Sequence, residues 1–380
     1  MPLLTYRQMR PTRALISKNN FLHNLRCVRS NIGTKPIIMS VVKANAYGHG
    51  LEIIAKASIE SGEVGYFGVA TEEEGEQLRK ITALPILVLT TALENEIDTF
   101  LAHDLEFTLS SYTELEAIAS AAAALGKKAK VHLKIDTGMR RIGVEPNEAL
   151  EFAKAISGHS NRVELKGIST HFATSDEPEQ SFFQKQIKIF TEVIQLIRSS
   201  GFSVPLAHAA NSGAILQHPT ISSFDMVRPG IMLYGYPPSA DLDEKYGKEL
   251  KPVLELVSSV VFTKRIRSGA GVSYNLRWKA DHDTNIATVP AGYGDGYPRL
   301  LTSKTSAIIN GKLYPVRGTI CMDQIMIETG DDKIRIGDEV MLISSKLPDI
   351  SAMGIAKKIG TIPYEILTNI TARVPRILQD

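Results

Sequence analysis

Pro36-Ile37-Ile38-Met39-Ser40-Val41-Val42-Lys43-Ala44-Asn45-Ala46-Tyr47-Gly48-His49-Gly50 is an apolar run that ends on a charge and then turns. The part from Pro36 to Val42 predicts a short strand buried on both faces, as in a parallel sheet. Lys43 then stands at the mouth of that strand, partly out of water. Desolvation lowers a lysine pKa and leaves its amine usable as a base or as a Schiff-base nucleophile. The glycines and the asparagine that follow let the chain turn close to a ligand. The plainer alternative is a lysine snorkelling outward from a strand end.

Outward from this string the same pattern repeats. Eight apolar runs predict strands at Ile37–Lys43, Tyr66–Ala70, Ile86–Thr90, Glu106–Ser110, Lys130–Asp136, Glu164–His171, Leu206–Asn211 and Met226–Ile231. Helical spacing lies between them at Glu72–Lys80, Ser111–Leu125, Glu148–Ile156 and Gln180–Arg198. Thr71 followed by Glu74 reads as a capping box, and Pro85 suits a strand start. Alternating βα units of this number predict an α/β chain whose N-terminal part, 14–238, is a (β/α)8 TIM-type barrel, with its site at the C-terminal strand ends. Lys43, Lys134, Asp136, Arg141, His171, Asn211, Ser212 and Arg228 fall at five of those ends, more convergence than random surface polarity gives. From about residue 240 the text turns β-rich, with Asn310-Gly311 as a strong hairpin signal. Residues 239–380 are therefore expected to form a mainly antiparallel β domain, which the segment 1–13 could join. Pro237-Pro238-Ser239-Ala240 reads as the linker.

The bulk composition narrows the class. The chain has 380 residues, 43% hydrophobic and 22% charged, with a net charge of +2, so nothing points to nucleic acid as a partner. No segment approaches the roughly 20 apolar residues of a membrane span. Two distant cysteines, Cys27 and Cys321, and no evident signal peptide fit a cytoplasmic protein. His-Glu-x-x-His and paired cysteines are absent, so no catalytic metal is expected.

Several strings carry chemistry. Arg228-Pro229-Gly230-Ile231 and Asn211-Ser212-Gly213 follow the last two barrel strands, where barrels often bind phosphate with backbone N–H groups and a hydroxyl. Lys134-Ile135-Asp136-Thr137-Gly138-Met139-Arg140-Arg141 offers an arginine fork for a carboxylate or a phenolate oxygen; the alternative is a solvated basic turn. His171 is either a core histidine bonded to backbone or a hydrogen-bond relay. Tyr274, after the turn Gly269-Ala270-Gly271, is either a packing residue or a base. Gly292-Tyr293-Gly294-Asp295-Gly296 lacks the spacing of a dinucleotide motif.

The string around Lys43 resembles the pyridoxal phosphate (PLP) lysine motif of the alanine racemases, and the resemblance runs from Lys43 to Tyr364. It implies a PLP enzyme with a barrel and a C-terminal β domain, working as a homodimer on alanine and supplying D-alanine for peptidoglycan. By similarity Lys43 holds PLP and is one catalytic base. Tyr47, Tyr364, Ser212, Gly230 and Ile231 contact the phosphate, with Asn211 beside that loop. Arg228 bonds the pyridine nitrogen, His171 links Arg228 to the tyrosine, and Arg141 bonds the cofactor phenolate oxygen and helps bind substrate. Tyr274 is the second base, acting with Met322 and Asp323 in the other subunit's site; Tyr293 is an entryway residue. Lys134 resembles a position often found carbamylated. Arg140 departs from the family, which commonly has a small or uncharged residue there.

An arginine opposite the ring nitrogen cannot release a proton. The pyridine then stays unprotonated and is a weaker electron sink, which favours proton exchange at Cα over transamination. Bases on opposite faces of Cα are what interconverting two enantiomers requires. A PLP-dependent decarboxylase would place a carboxylate opposite the ring, and a barrel-only PLP carrier would not need Tyr274. A racemase of broader range, or one for serine, is hardly separable by sequence, because one methylene is worth only about 1–3 kcal/mol.

Overall fold

The computed structural model describes residues 10–380; residues 1–9, most of the N-terminal segment considered above, lie outside them. The chain divides into two compact units. One comprises 21–46 and 51–251; the other comprises 10–20, 47–50 and 252–380.

Strand β1 (Arg13–Ser17) belongs to the second unit. The first unit holds β2 (Ile37–Val41), β3 (Val64–Val69), β4 (Ile86–Val88), β5 (Phe107–Leu109), β6 (Ala129–Lys134), β7 (Val163–Ser169), β8 (Leu206–His208) and β9 (Met226–Val227). They pair in parallel in the order β4-β3-β2-β9-β8-β7-β6-β5. A parallel bridge between Leu87 and Glu106 joins the two edge strands, with Val88 N donating to Glu106 O at 3.0 Å, so the sheet rounds into the expected (β/α)8 barrel. Continuous burial of Met39, Val41, Phe67, Val69, Leu109, Leu133 and Ile168 explains why these runs read as unbroken apolar text.

All the expected barrel strands form, but several stop earlier than their apolar text. Ladder bonds continue briefly, as from Val42 N to Gly68 O and from Arg228 N to Ala210 O, both 2.9 Å. The chain then turns, so Lys43 opens a helical turn, His171 begins a loop and Asn211 caps a helix instead of ending strands. Outer helices follow the predicted periodicity. Ser181–Ser199 buries Phe183, Gln186, Phe190, Val193, Ile194 and Ile197 along one stripe.

The 237–240 stretch is not a free linker. Ser239 caps the helix Ala240–Tyr246 by accepting from Leu242 N at 3.4 Å, and its hydroxyl donates to Asp176 O at 3.3 Å. Residues 239–251 therefore stay with the barrel unit, while 14–20 go to the other one.

The second unit contains β10 (Leu254–Ser259), β11 (Phe262–Ile266), β12 (Gly271–Val272), β13 (Trp278–Lys279), β14 (Thr284–Val289), β15 (Ser306–Ile309), β16 (Lys312–Arg317), β17 (Ile325–Gly330), β18 (Glu339–Ile343) and β19 (Arg376–Gln379). Together with β1, all but the β12-β13 pair form a nine-stranded sheet, β11-β14-β17-β16-β15-β18-β10-β1-β19, antiparallel except between β1 and β19. Asn310 and Gly311 take φ of 51° and 79° in the β15-β16 turn, as a two-residue hairpin of this sequence requires.

Candidate active site

Lys43 opens a turn of left-handed helix. Ala44, Asn45, Ala46 and Tyr47 have φ of 53°, 52°, 53° and 52°, a conformation that costs L-residues roughly 1–2 kcal/mol each. Side chains and backbone hold it. Glu74 Oε1 accepts from Ala44 N at 2.6 Å, Asn45 Oδ1 accepts from Leu51 N at 2.8 Å, and Ala46 N donates to Val42 O at 2.8 Å. Glu74 thus departs from the capping-box reading. The Thr71 hydroxyl does accept from Glu74 N at 3.4 Å, but the carboxylate reaches past it to Ala44 N and Ala70 N.

In the second unit, the Tyr47 ring lies 5.9 Å from that of Tyr364. Gly48 follows at φ +83°, where a Cβ would lie 2.1 Å from Leu367 O, so no side chain fits there.

The barrel mouth is strongly cationic. Lys43 is half-buried, and its pKa is lowered first by desolvation and then by the Arg141 and Arg228 charges, with Glu74 opposing. Lys134, at the end of β6, is buried and held well below the ordinary lysine range by desolvation, Arg228 and Arg141. His171 is likewise held well below its usual value by burial and by Lys134, Arg228, Arg141 and Lys43, which keeps it neutral. Burial brings even Arg228 down to about 10. Its Nη2 donates to Thr170 O at 2.7 Å and Ala209 O at 3.0 Å, and lies 3.5 Å from His171 Nδ1. Arg141 is exposed, and Arg140, at φ +56°, turns outward to pair with Glu145. Gly143 packs under this loop with φ +128°; a Cβ there would lie 2.7 Å from Asp136 N.

Asn211, Ser212, Gly230 and Ile231 come together beside these cations. The buried Ser212 hydroxyl accepts from Gly230 N at 3.0 Å and Met232 N at 3.3 Å. Its own hydrogen remains available to an oxyanion. Two short helices, Ser212–Gln217 and Ile231–Tyr234, start here. Their first N–H groups have no acceptor within the helix, which suits an anion. Asn211 is a cap: its Oδ1 accepts from Ala214 N and Ser175 Oγ at 3.0 and 2.7 Å, and its amide donates to Phe172 O.

The second unit gathers the remaining residues. Tyr274 is 68% exposed, Met322 50% and Tyr293 40%. Their loops are stitched together. Thr319 Oγ1 donates to Tyr274 O at 2.9 Å, Tyr293 N to Cys321 O at 3.1 Å, and Gly294 N to Met322 O at 2.9 Å. Asp323 pairs with Arg373 at 2.7 Å, and Arg373 also faces Asp295. Asp281, His282 and Glu328 cluster elsewhere on this unit, but Glu328 is already paired with Arg317 at 2.7 Å. Among the described residues, no helix is long and apolar enough to cross a membrane.

Reading strand ends alone overlooks Glu106, His132 and His208. They sit inside apolar runs, buried, and reach Arg228 from behind. Their sequence signal is weak: polarity next to apolar residues, which for His132 is shared with Lys130 and Lys134 in the same strand.

The sequence matches two family descriptions, Alanine racemase, N-terminal domain, over residues 16–238, and Alanine racemase, C-terminal domain, over 253–378. An alanine racemase of Treponema denticola is 42% identical over 381 residues, covering 98% of this chain and 99% of that protein. The solved alanine racemase of Clostridium difficile 630 superposes with a TM-score of 0.91 at 36% identity, covering 98% of this chain and 96% of the other. A histidine racemase from Leuconostoc mesenteroides superposes with a TM-score of 0.89 at 27% identity, covering 98% of both chains. With both halves matched and such relatives aligned over nearly the whole length, the chain belongs to the alanine racemase family.

Proposed function

We propose that this protein interconverts L- and D-alanine, with PLP held on Lys43. The observation that carries the reading is a half-buried lysine of lowered pKa at a barrel mouth, beside Lys134, Arg141 and Arg228 and an oxyanion-ready loop. This donor set fits a phosphorylated, multiply anionic aldehyde. Ser212, Gly230 and Ile231, with Tyr47 and Tyr364, would hold the phosphate. Arg141 would bond the phenolate oxygen, and Arg228 the ring nitrogen. When bound, PLP delocalises the electron pair left on Cα after proton removal.

The protein's own residues then move the proton. Lys43, whose surroundings make its amine easier to deprotonate, takes the Cα proton of D-alanine. The Tyr274 oxygen serves the opposite face and takes the proton of L-alanine. The exposure of Tyr274 and Met322 supports a homodimer in which Tyr274, Met322 and Asp323 complete the partner subunit's site, with Tyr293 at the entrance. His171, neutral and near Arg228, would link that arginine to the incoming tyrosine. Lys134, its pKa lowered by burial and by two flanking arginines, suits carbamylation: its deprotonated amine adds to CO2, loses a proton and becomes an anion facing them. The cellular role would be cytoplasmic supply of D-alanine for peptidoglycan.

Borohydride treatment of the purified holoenzyme should fix the cofactor on Lys43, as located by peptide mapping. Racemisation should be fastest with alanine in a panel that includes serine and histidine. Label on another lysine, or a preference for histidine, would overturn the reading.

A further inference from the structure

Arg228 is backed by a buried line of side chains that crosses the barrel. Its Nη1 lies 2.7 Å from His208 Nδ1 on β8. His208 Nε2 lies 2.9 Å from His132 Nδ1 on β6. His132 Nε2 lies 2.8 Å from Glu106 Oε2, and the Tyr66 hydroxyl on β3 donates to the same oxygen at 2.8 Å. Glu106, His132 and His208 are each no more than 1% exposed.

The chemistry of the two ends fixes every hydrogen between them. A guanidinium only donates. His208 Nδ1 must therefore be the bare acceptor, and its hydrogen sits on Nε2. That N–H donates to His132 Nδ1, which must also be bare, so the hydrogen of His132 sits on Nε2 and donates to Glu106. The reverse tautomers would set a His208 N–H against an Arg228 N–H at 2.7 Å. A doubly protonated His132 fails in the same way, because it would donate to His208 Nε2 and force the His208 hydrogen onto Nδ1.

We propose that Glu106, His132 and His208 are positioning residues for Arg228. The Glu106 carboxylate acts through two neutral Nε2–H imidazoles as the counter-charge to the buried guanidinium and fixes its plane. One Nη1–H and both Nη2–H groups are tied to His208, Thr170 and Ala209, which leaves Nε–H and the second Nη1–H as donors for a ligand. The inference rests on the reading of Arg228 as the ring-nitrogen partner. Burial and the Arg228 charge independently hold His208 far below its ordinary pKa, consistent with a neutral ring. Removing an outer partner of a metal ligand commonly costs about 10–100-fold, and the same scale is expected for an outer partner of Arg228.

The test is nitrogen NMR of the holoenzyme. With 15N-labelled histidine, and with His132→Gln and His208→Gln used for assignment, both rings should be neutral with hydrogen on Nε2. An imidazolium at either site, or hydrogen on Nδ1, overturns the proposal without reference to the cofactor. With 15N-labelled PLP, the wild-type ring nitrogen should be unprotonated. Glu106→Gln keeps an acceptor but removes the charge. It should shift the ring signal toward the protonated position and lower kcat about tenfold with KM for alanine unchanged. An unmoved ring signal and kcat overturn the relay. A wild-type ring that is already protonated overturns the assignment of Arg228, which is a separate failure.

Discussion

Replacing Ala44 with glycine should make this protein more stable, the opposite of the usual effect of glycine in a helical turn. Ala44 is exposed, so little packing is lost, and it holds φ 53°. A left-handed L-residue costs roughly 1–2 kcal/mol, whereas glycine costs about 0.5–1 kcal/mol in backbone entropy relative to alanine. The balance favours glycine by about 0.5–1 kcal/mol. For a unit of this size that is a rise of about 1–4 °C in thermal midpoint. Circular dichroism melts of wild type and Ala44→Gly, both PLP-loaded, measure it. Glu74→Gln in parallel should lower the midpoint, because it weakens the carboxylate clamp on Ala44 N, a charged bond of about 1.5–3 kcal/mol at most. A fall for Ala44→Gly like that of an ordinary helix interior would refute the argument that this turn stores strain against the Glu74 clamp.

Other perturbations test the rest of the site. Lys134 has a lowered folded pKa, so the unfolded chain binds more protons and stability of the PLP-free protein should rise with pH from neutrality toward the ordinary lysine pKa. Lys134→Met should flatten that rise in midpoints measured between neutral and alkaline pH; an equal slope in both proteins contradicts it. Gly143→Ala adds a Cβ 2.7 Å from Asp136 N at a positive φ, which should cost about 1–3 kcal/mol of stability and weaken PLP retention. An unchanged melt and unchanged PLP content would show that the Arg141 loop yields freely. Mixing inactive Lys43→Ala and Tyr274→Phe proteins should restore about one working site per exchanged dimer. No recovery after demonstrated subunit exchange would place both bases in one chain.

Sequence and structure agree where one physical cause acts locally. Barrel strands such as Ile86–Val88 were legible because they are buried on both faces and so read as apolar text. Their ends were less legible, because nothing in the order Val42-Lys43 or Thr170-His171 marks where ladder pairing stops. The left-handed turn was hidden, since Ala-Asn-Ala carries no strong signal for positive φ. Glu106, His132 and His208 were hidden for another reason. Nothing local marks them, because the partners of each lie on or beside other strands, 26 to 76 positions away in the bonds between them. In the second unit, Asn310-Gly311 announced its hairpin. The helices Ala352–Ile359 and Pro363–Thr368 did not stand out, being short and dependent on burial of residues such as Ile355 and Leu367.

The pairing of β1 with β10 and β19 sets an order on synthesis. Arg13–Ser17 leaves the ribosome near the start, but its antiparallel partner is Leu254–Ser259 and its parallel partner is Arg376–Gln379. At about 5–20 residues per second, the first strand waits roughly 20–70 s for the last. Until Leu254–Ser259 is made both its edges are open, and until Arg376–Gln379 is made one of them still is. Its apolar centre, Ala14-Leu15-Ile16, is the kind of unpaired edge that chaperones shield and that aggregates form on. Neither unit is a contiguous stretch of chain, so a cut near Lys251 yields no complete half: the C-terminal piece lacks the centre of its own sheet's edge. A strand made long after β1 thus decides whether β1's second edge is ever covered.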